Sequence, residues 1–430
     1  MFSRFNTYNR NTRHTKLKQM AKPKLALIPC TQGYFYSSVL PSDGSGDFRG
    51  GRSGKATRIN SQGLIEEVGD GVSRLNYPMI DGKVVGCPHH ILEPQSTNRQ
   101  SYSEDLISGF SNGATSVSSN VIISPDGALN ADKLVESNTN ARHELYGATI
   151  SFSGTTSVSF FAKASERRYI SVFIGGNPAV GGATFDVEDG VVSLMSGGTD
   201  ASIVNYGNGW YRCSLTSTNA GSYQVYYCLR TNASAVDVQT YQGDGTSGMY
   251  LWGFQTEVGQ SYPTSYIPTN GESGGVTRSA ETATDYGDAS TFNDSEGVLM
   301  AEISALADDL TLRQISLSDG TTSNQLVIYY GSVSDKIFYY LSVGGVAQVN
   351  DSVIINDIAS FNKIAFKYKQ NDFQLWINGI NVLSDLSGNT YPTSTLSQLN
   401  LTNGQGTGDY FYGKTKQLQY YNSALTDSEL

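Results

Sequence analysis

Trp210, Arg212, Tyr226 and Trp252, with Asn378 further along the chain, are residue types that hold saccharides. Flat rings lie against C–H faces of a sugar, and guanidinium and amide groups bond its hydroxyls. On a strand, Trp210 and Arg212 point to one side and Tyr211 and Cys213 to the other, so one set alone can face a ligand. The competing reading for each ring, Tyr227 and Trp376 included, is a place in the core. The Asp-Gly pairs at Asp126 and Asp244 offer carboxylate and carbonyl oxygens of the kind calcium takes, or they are ordinary turns. The pair His89-His90, close to Cys87, could ligate a metal; neighbouring strand residues diverge, which favours a turn in solvent.

Bond-making chemistry finds less support. The four histidines, His14, His89, His90 and His143, lie in no Gly-x-Ser-x-Gly or His-Glu-x-x-His setting. Glycoside cleavage needs two carboxylates held several ångströms apart across the bond. Asp308-Asp309 and Glu66-Glu67 are adjacent, and a strand would send the two members of each pair to opposite faces. The sequence is therefore expected to be non-enzymatic, with no cofactor other than calcium.

The elements that must position these residues are strands. Glycine (46) and tyrosine (27) are abundant and charged residues make up 16%, a composition of β-rich domains joined by tight turns. At 430 residues the chain is too long for one ordinary domain. Its net charge of -10 disfavours nucleic-acid binding by the main body. No run approaches the length of a membrane span. Cys30, Cys87, Cys213 and Cys228 form no C-x-x-C; they are expected as reduced thiols, with a Cys213–Cys228 pairing as the alternative.

Residues 1–19 carry Arg4, Arg10, Arg13, Lys16 and Lys18 without an acid or an apolar run, so they do not read as a secretory signal. They are either a basic arm that touches an acidic partner or nucleic acid, or sequence upstream of a start at Met20. Short strand candidates follow at Leu25–Ile28, Tyr34–Leu40, Ala56–Asn60 and Gly63–Val68, with a Pro41–Asp47 turn cluster between them. So few apolar residues per turn imply support from neighbouring domains or chains. Strands are then expected at Thr155–Ala164, Tyr169–Ile174, Ala183–Val187, Gly209–Thr216, Ser222–Arg230 and Met249–Val258. Residues 270–291 read as a linker or an edge excursion. A second set runs through Gly297–Ile303, Thr311–Leu317, Gln325–Tyr330, Lys336–Val343, Phe361–Tyr368, Asp372–Ile377 and Lys416–Tyr421. Asn208-Gly209 and Asn378-Gly379 are hairpin turns, and Thr426-x-x-Glu429 is a capping box.

Three stretches carry resemblances. Tyr250-Leu251-Trp252-Gly253-Phe254-Gln255-Thr256-Glu257, with Ser265-Tyr266-Ile267-Pro268-Thr269 and Val276-Thr277-Arg278, resembles the closing strand of carbohydrate-binding-module-like domains of bacteriophage virion proteins. Gly54-Lys55-Ala56-Thr57-Arg58-Ile59-Asn60, Gly63-Leu64-Ile65-Glu66 and Ile91-Leu92-Glu93-Pro94-Gln95-Ser96-Thr97-Asn98 resemble the leader of such proteins, although Arg99-Gln100 replaces the usual apolar residue after Thr-Asn. Asp372-Phe373-Gln374-Leu375-Trp376-Ile377-Asn378-Gly379 and the segment from Gly413 to Glu429 look like a concanavalin A-like, laminin-G-type sandwich. Laminarinase-type glucanases share that fold, but their Glu-x-Asp-x-Glu run does not occur here.

These resemblances imply an all-β chain: two β-sandwich, jelly-roll domains in tandem after a β-rich N-terminal assembly segment. The expected division is 1–20, a basic arm or upstream translation; 21–100, the assembly segment; 101–269, the carbohydrate-binding-module-like jelly roll; 270–291, a linker; and 292–430, the laminin-G-like sandwich. The implied role is that of a phage tail fibre adhering to host surface polysaccharide. A head fibre or capsid-decoration protein and a glycan-degrading enzyme are the alternatives. Implied partners are other virion proteins, bound through the N-terminal segment, and further copies of the chain in a trimer. The implied location is the virion, with no membrane.

Overall fold

The computed structural model describes residues 21–29, 39–40, 50–175, 179–197, 200–233 and 239–430. The basic stretch 1–19, His14, Cys30, most of Tyr34–Leu40 and the Pro41–Asp47 cluster lie outside them. The described chain is all-β, with antiparallel strand pairs throughout and a single turn of helix at Leu106–Gly109.

Two sandwiches follow one another. In the first, an eight-stranded sheet runs in the order Thr115–Ile123, Leu129–Glu136, Gly248–Val258, Thr156–Ala164, Trp210–Ser217, Asp200–Gly207, and Ser96–Asn98 and Val276–Arg278 join it beside Gly248–Val258. A six-stranded sheet faces it, with Tyr169–Ile174 and Val225–Arg230 at its centre. Between them lie Val158, Phe160, Ile170, Val172, Leu215, Leu251 and Phe254, the inward members of alternating strands. In Gly248–Val258 the alternation is broken once. Gly253 takes φ 65° and the register with Thr156–Ala164 shifts there, from Phe161 opposite Trp252 to Ser159 opposite Gln255. This bulge lets Leu251 and Phe254 both enter the core while Trp252 faces outward.

The second sandwich stacks a nine-stranded sheet centred on Glu296–Ala305 against a five-stranded one centred on Gln325–Tyr330. Leu299, Ala301 and Ile303 fill its core with Leu326, Ile328, Phe366 and Leu375, and Val298 and Met300 face the other way, the two-residue period of a strand. The Asn208-Gly209 and Asn378-Gly379 turns have positive φ at both residues, as two-residue hairpins require. Trp376, expected in the core, lies outside it, half-buried on the outer face of the nine-stranded sheet with Met300 and Leu425. Its position in the strand puts it out of phase with Leu375 and Ile377.

The N-terminal segment is shared between the sandwiches. Leu25–Leu27 pairs with Gly413–Tyr421, Leu25 opposite Tyr420, and His89–Leu92 pairs with the same strand, Leu92 opposite Gly413. Six residues after Leu92 the chain belongs to the other body, with Asn98 opposite Val276 and Glu257. Residues 270–291 contribute Val276–Arg278, Thr282–Ala283 paired with Gly50–Gly51, and the fully buried Tyr286, whose backbone exchanges two hydrogen bonds with Leu399.

Where these segments cross, a buried ion network joins them. Arg74 bonds Glu281 through Nε (2.8 Å) and Glu93 through Nη2 (2.8 Å); Arg52 reaches Glu281 (2.8 Å) and Arg278 reaches Glu93 (2.7 Å). All five side chains are at most 6% exposed. Burial pushes the Glu93 carboxyl up, but the Arg278 and Arg74 guanidiniums outweigh it and hold that group at about 2.

Two sequence expectations are corrected nearby. His89 and His90 are not a turn in solvent: they begin the His89–Leu92 strand and are 3% and 1% exposed, because that strand is an internal member of the nine-stranded sheet. Burial lowers them to about 3 and about 4. Cys87 is disulfide-bonded rather than reduced. Cys213 and Cys228 are free and buried, and they stand on opposite sheets of the first sandwich, so they do not pair.

Candidate functional site

Five residues were candidates for a sugar platform, and the structure separates them. Trp210 and Trp252 do share a face, the outer face of the eight-stranded sheet, with Phe161 and Tyr266. That face is covered. The hairpin Ala56–Ile59 with Ile65–Val68 lays Ile59 and Ile65 on it, and Trp210 and Trp252 are 2% and 0% exposed. The Trp210 indole N–H donates to the Ile123 carbonyl (3.0 Å). Arg212, also buried, stacks over Phe161 and donates to Ser159 Oγ (2.9 Å) and to the Thr264 carbonyl (2.8 Å), which fastens the 264–266 tail to the sheet. These residues fill the space beneath the chain's own hairpin, and their ring faces are not presented to a ligand.

Tyr226 is on the other sheet, half-buried, stacked on Phe173 at 5.0 Å with Arg142 over its ring. Asn378 is exposed in its hairpin turn, where Oδ1 accepts the Lys363 amide (2.9 Å). The two are not brought together with the tryptophans.

The calcium candidates use their oxygens at home. Asp126 Oδ1 accepts the Ala128 amide (2.7 Å) and the Ser124 hydroxyl, and Asp244 Oδ1 accepts the Thr246 and Ser247 amides (both 2.7 Å). Such side-chain-to-backbone bonds define Asx turns. Among the described residues, no group of three His, Cys, Asp or Glu is placed to hold a metal ion.

Beside the covered aromatic face a cavity of about 1030 Å³ opens. Three stretches distant in sequence wall it: the 55–67 hairpin, the 104–132 region leading through the short helix into the first two long strands, and Trp252 with the 266–276 tail. The hairpin is fixed in place by the Ile65 amide on the Pro125 carbonyl (3.0 Å) and by Leu64 lying against Gly127. Within the cavity, Glu104 accepts Tyr266 Oη (2.8 Å) on Oε1 and Asn130 Nδ2 (3.1 Å) on Oε2. The same Asn130 amide donates to Asp126 Oδ2 (3.1 Å), which bridges the two carboxylates, and its own Oδ1 is buried without a partner. Burial raises the Glu104 carboxyl above the ordinary glutamate value, with Asp126 adding to the rise. The Trp252 indole N–H lies close enough to Glu104 to help hold it, yet completes no hydrogen bond of ordinary geometry.

The site thus gathers Trp252 and Asp126 from the sequence candidates, but for contacts other than those expected of them. It adds Glu104, Asn130 and Tyr266, which sequence reasoning did not single out as binding residues. Glu104 and Tyr266 are 162 residues apart, and neither sits in a motif that signals chemistry. The one available sign was the Ser-Tyr-Ile-Pro-Thr tail, where a tyrosine at the end of a stiff segment has to dock somewhere. The site can form hydrogen bonds with both donors and acceptors around a volume at the upper end of the usual range for ligand pockets, about 300–1,000 Å³.

Comparison with known proteins adds the following. No family model matches the chain, and no curated protein matches it. Among solved structures, mouse laminin alpha1 chain domains LG4-5 align over 67% of this chain and 92% of that one, with 8% identity and a TM-score of 0.24. The LG1-3 region of the laminin alpha2 chain aligns over 68% and 64%, with 12% identity and a TM-score of 0.18.

Proposed function

We propose that this chain is a non-catalytic glycan-binding protein of a bacteriophage virion, a tail fibre that adheres to host surface polysaccharide through the cavity at Glu104 and Asn130. The observation that carries the binding reading is the cavity itself: about 1030 Å³, walled by carboxylates and amides, with the Asn130 amide oxygen left without a hydrogen bond. A buried polar atom without a partner is costly, and a ligand hydroxyl would satisfy it. The virion assignment draws on the three sequence resemblances, and the shared N-terminal segment is the part that would dock on other virion proteins.

The test is a panel of bacterial surface polysaccharides probed with the full chain and with Glu104→Gln and Asn130→Ala. Binding by the wild type that falls in both variants supports the reading; equal binding by all three moves the site elsewhere. Immunogold labelling of virions decides between tail and head, and labelling confined to the capsid would replace the tail fibre with a head fibre.

A second reading, glycan cleavage, is favoured by one feature: Glu104 is raised, as a general acid would be, and Asp126 stands within reach of the same Asn130 amide. Binding is preferred because both Asp126 oxygens accept hydrogen bonds from the protein, Oδ1 from the Ala128 amide and Oδ2 from the Asn130 amide, so that Asp126 is not poised as the second carboxylate. New reducing ends that disappear in Glu104→Gln would reverse that preference.

A further inference from the structure

His143, which no motif places in a reaction or a metal site, is 0% exposed and lies between two backbone carbonyls. Its Nδ1 stands 2.8 Å from the Ala114 oxygen and its Nε2 3.2 Å from the Tyr241 oxygen. Carbonyl oxygens accept hydrogen bonds and donate none. A neutral imidazole has one N–H and one bare lone pair, so it can serve one of the two carbonyls and must aim its lone pair at the other. Turning the ring over puts carbon atoms at both places. The imidazolium has two N–H groups and serves both.

The ring has little room to move aside. The Tyr241 ring centre lies 4.5 Å from it, and a Cβ on Gly243 would stand 2.9 Å from both Cε1 and Nε2, so the Gly243 backbone lies close against the imidazole. Ala114 is held as well. It takes φ 51°, a region that alanine seldom adopts, and its carbonyl accepts the Ser137 amide (2.9 Å) besides meeting His143. Ala114 immediately precedes the edge strand Thr115–Ile123, and Tyr241 opens the strand Tyr241–Gln242, whose partner is Asn140–Ala141.

The charged groups around the ring are matched with one another. On its own strand Arg142 pairs with Glu144 (2.5 Å). Beyond the Tyr241 ring, Glu136 takes Arg167 (2.6 Å) and the Tyr241 hydroxyl (2.8 Å), and Asp244 stands 3.8 Å from Arg167. On the neighbouring strand Val225–Arg230, the Cys228 thiol meets Glu144 (3.7 Å) and Arg230 donates to Ser171 (2.9 Å). Among the described residues, none of these side chains bonds the imidazole; the two carbonyls are its partners.

We infer that His143 is a proton-operated clamp. With both nitrogens protonated it fastens Ala114 and Tyr241 to the strand between them. Loss of one proton to solvent leaves a lone pair facing a carbonyl, and the longer contact, to Tyr241, opens. Histidine is the side chain whose charge changes between about pH 5 and 8. The clamp is closed on the acid side of that range and opens as pH rises. His89 and His90 do not take part, since burial holds them at about 3 and about 4 and they stay neutral there.

The test is NMR of the full chain labelled with heavy nitrogen in its histidine rings, the His143 signals being those that vanish in His143→Gln. It is read from about pH 5 to about pH 8, together with amide-exchange protection corrected for the intrinsic effect of pH. The expected result is that both His143 ring nitrogens carry protons at the acid end and one is bare at the alkaline end. Over the same range the protection of the Gly243 amide, which bonds the Thr139 carbonyl, should fall about tenfold or more relative to Gln325–Tyr330, the loss of one charge-assisted hydrogen bond. His143→Gln should abolish that dependence. If this variant does not fold, substitution of His14, His89 and His90 in turn assigns the remaining signals to His143, and the wild-type titration decides. A His143 that stays neutral throughout, or doubly protonated throughout, overturns the inference. A titration that leaves the protection at Gly243 unchanged overturns it too.

Discussion

At the scale of single residues, the side chains that matter most are the buried charged ones between the sandwiches. Arg74 alone touches both Glu93 and Glu281, and it is 0% exposed. Arg74→Met is expected to destabilise the chain by about 3–5 kcal/mol in denaturant unfolding, because two carboxylates stay buried with one partner fewer. The neighbouring histidines set an acid limit. Their folded values, about 3 and about 4, lie below the ordinary 6.5, so the unfolded chain binds protons that the folded chain refuses. Stability from this source is complete above pH 6.5 and is lost as pH falls toward 3; Glu93, held at about 2 against 4.5, adds a further loss below 4.5. The melting temperature should therefore decline from pH 6.5 downward, and His89→Gln should flatten the upper part of that decline. None of this was legible in the sequence, where His89-His90 reads as a solvent pair and the arginines and glutamates are scattered over more than two hundred positions.

At the scale of elements, what could be read from the sequence depended on burial. Tyr169–Ile174, Gln325–Tyr330 and Lys336–Val343 have the bounds expected of them, because interior strands are rich in β-branched and aromatic residues. Thr115–Ile123, Asp200–Gly207 and Val346–Ile354 escaped notice. They are edge strands with almost no fully buried residue and rich in Ser, Asn and Asp, so their apolar alternation is too weak to stand out. The hairpin Ala56–Val68 was legible as a pair of strands, but what it covers was not. Ile65 is 6% exposed against the aromatic cluster of Trp252 and Tyr266. Ile65→Ala should cost about 2–5 kcal/mol. If the hairpin is a local cover, hydrogen exchange will quicken at Ala56–Val68 while the amides of Gly248–Val258 stay protected; uniform quickening would show that cover and sandwich unfold together.

At the scale of the whole molecule, the chain is stitched rather than strung. Leu25–Leu27 and His89–Leu92 complete the second sandwich, whose own strands begin some two hundred residues later, and Ser96–Asn98 completes the first. A fragment of residues 292–430 would leave the Gly413–Tyr421 edge unpaired, an invitation to aggregation. It should be less soluble and melt lower than the full chain, and addition of residues 21–98 to its N-terminus should recover part of the loss. The same stitching builds the cavity, since its walls come from the 55–67 hairpin, the 104–132 region and the 252–276 tail. A pattern search over contiguous residues cannot find a site whose parts meet only after folding.

The most direct test of the account is a crystal structure of the full chain soaked with a saccharide that it binds in the polysaccharide panel. The account predicts ordered sugar density in the cavity, with a sugar hydroxyl hydrogen-bonded to the Asn130 amide oxygen or to the Glu104 carboxylate. Sugar seated instead over Tyr226 on the opposite sheet, or at the Asn378 turn of the second sandwich, with the cavity holding only water, would contradict it.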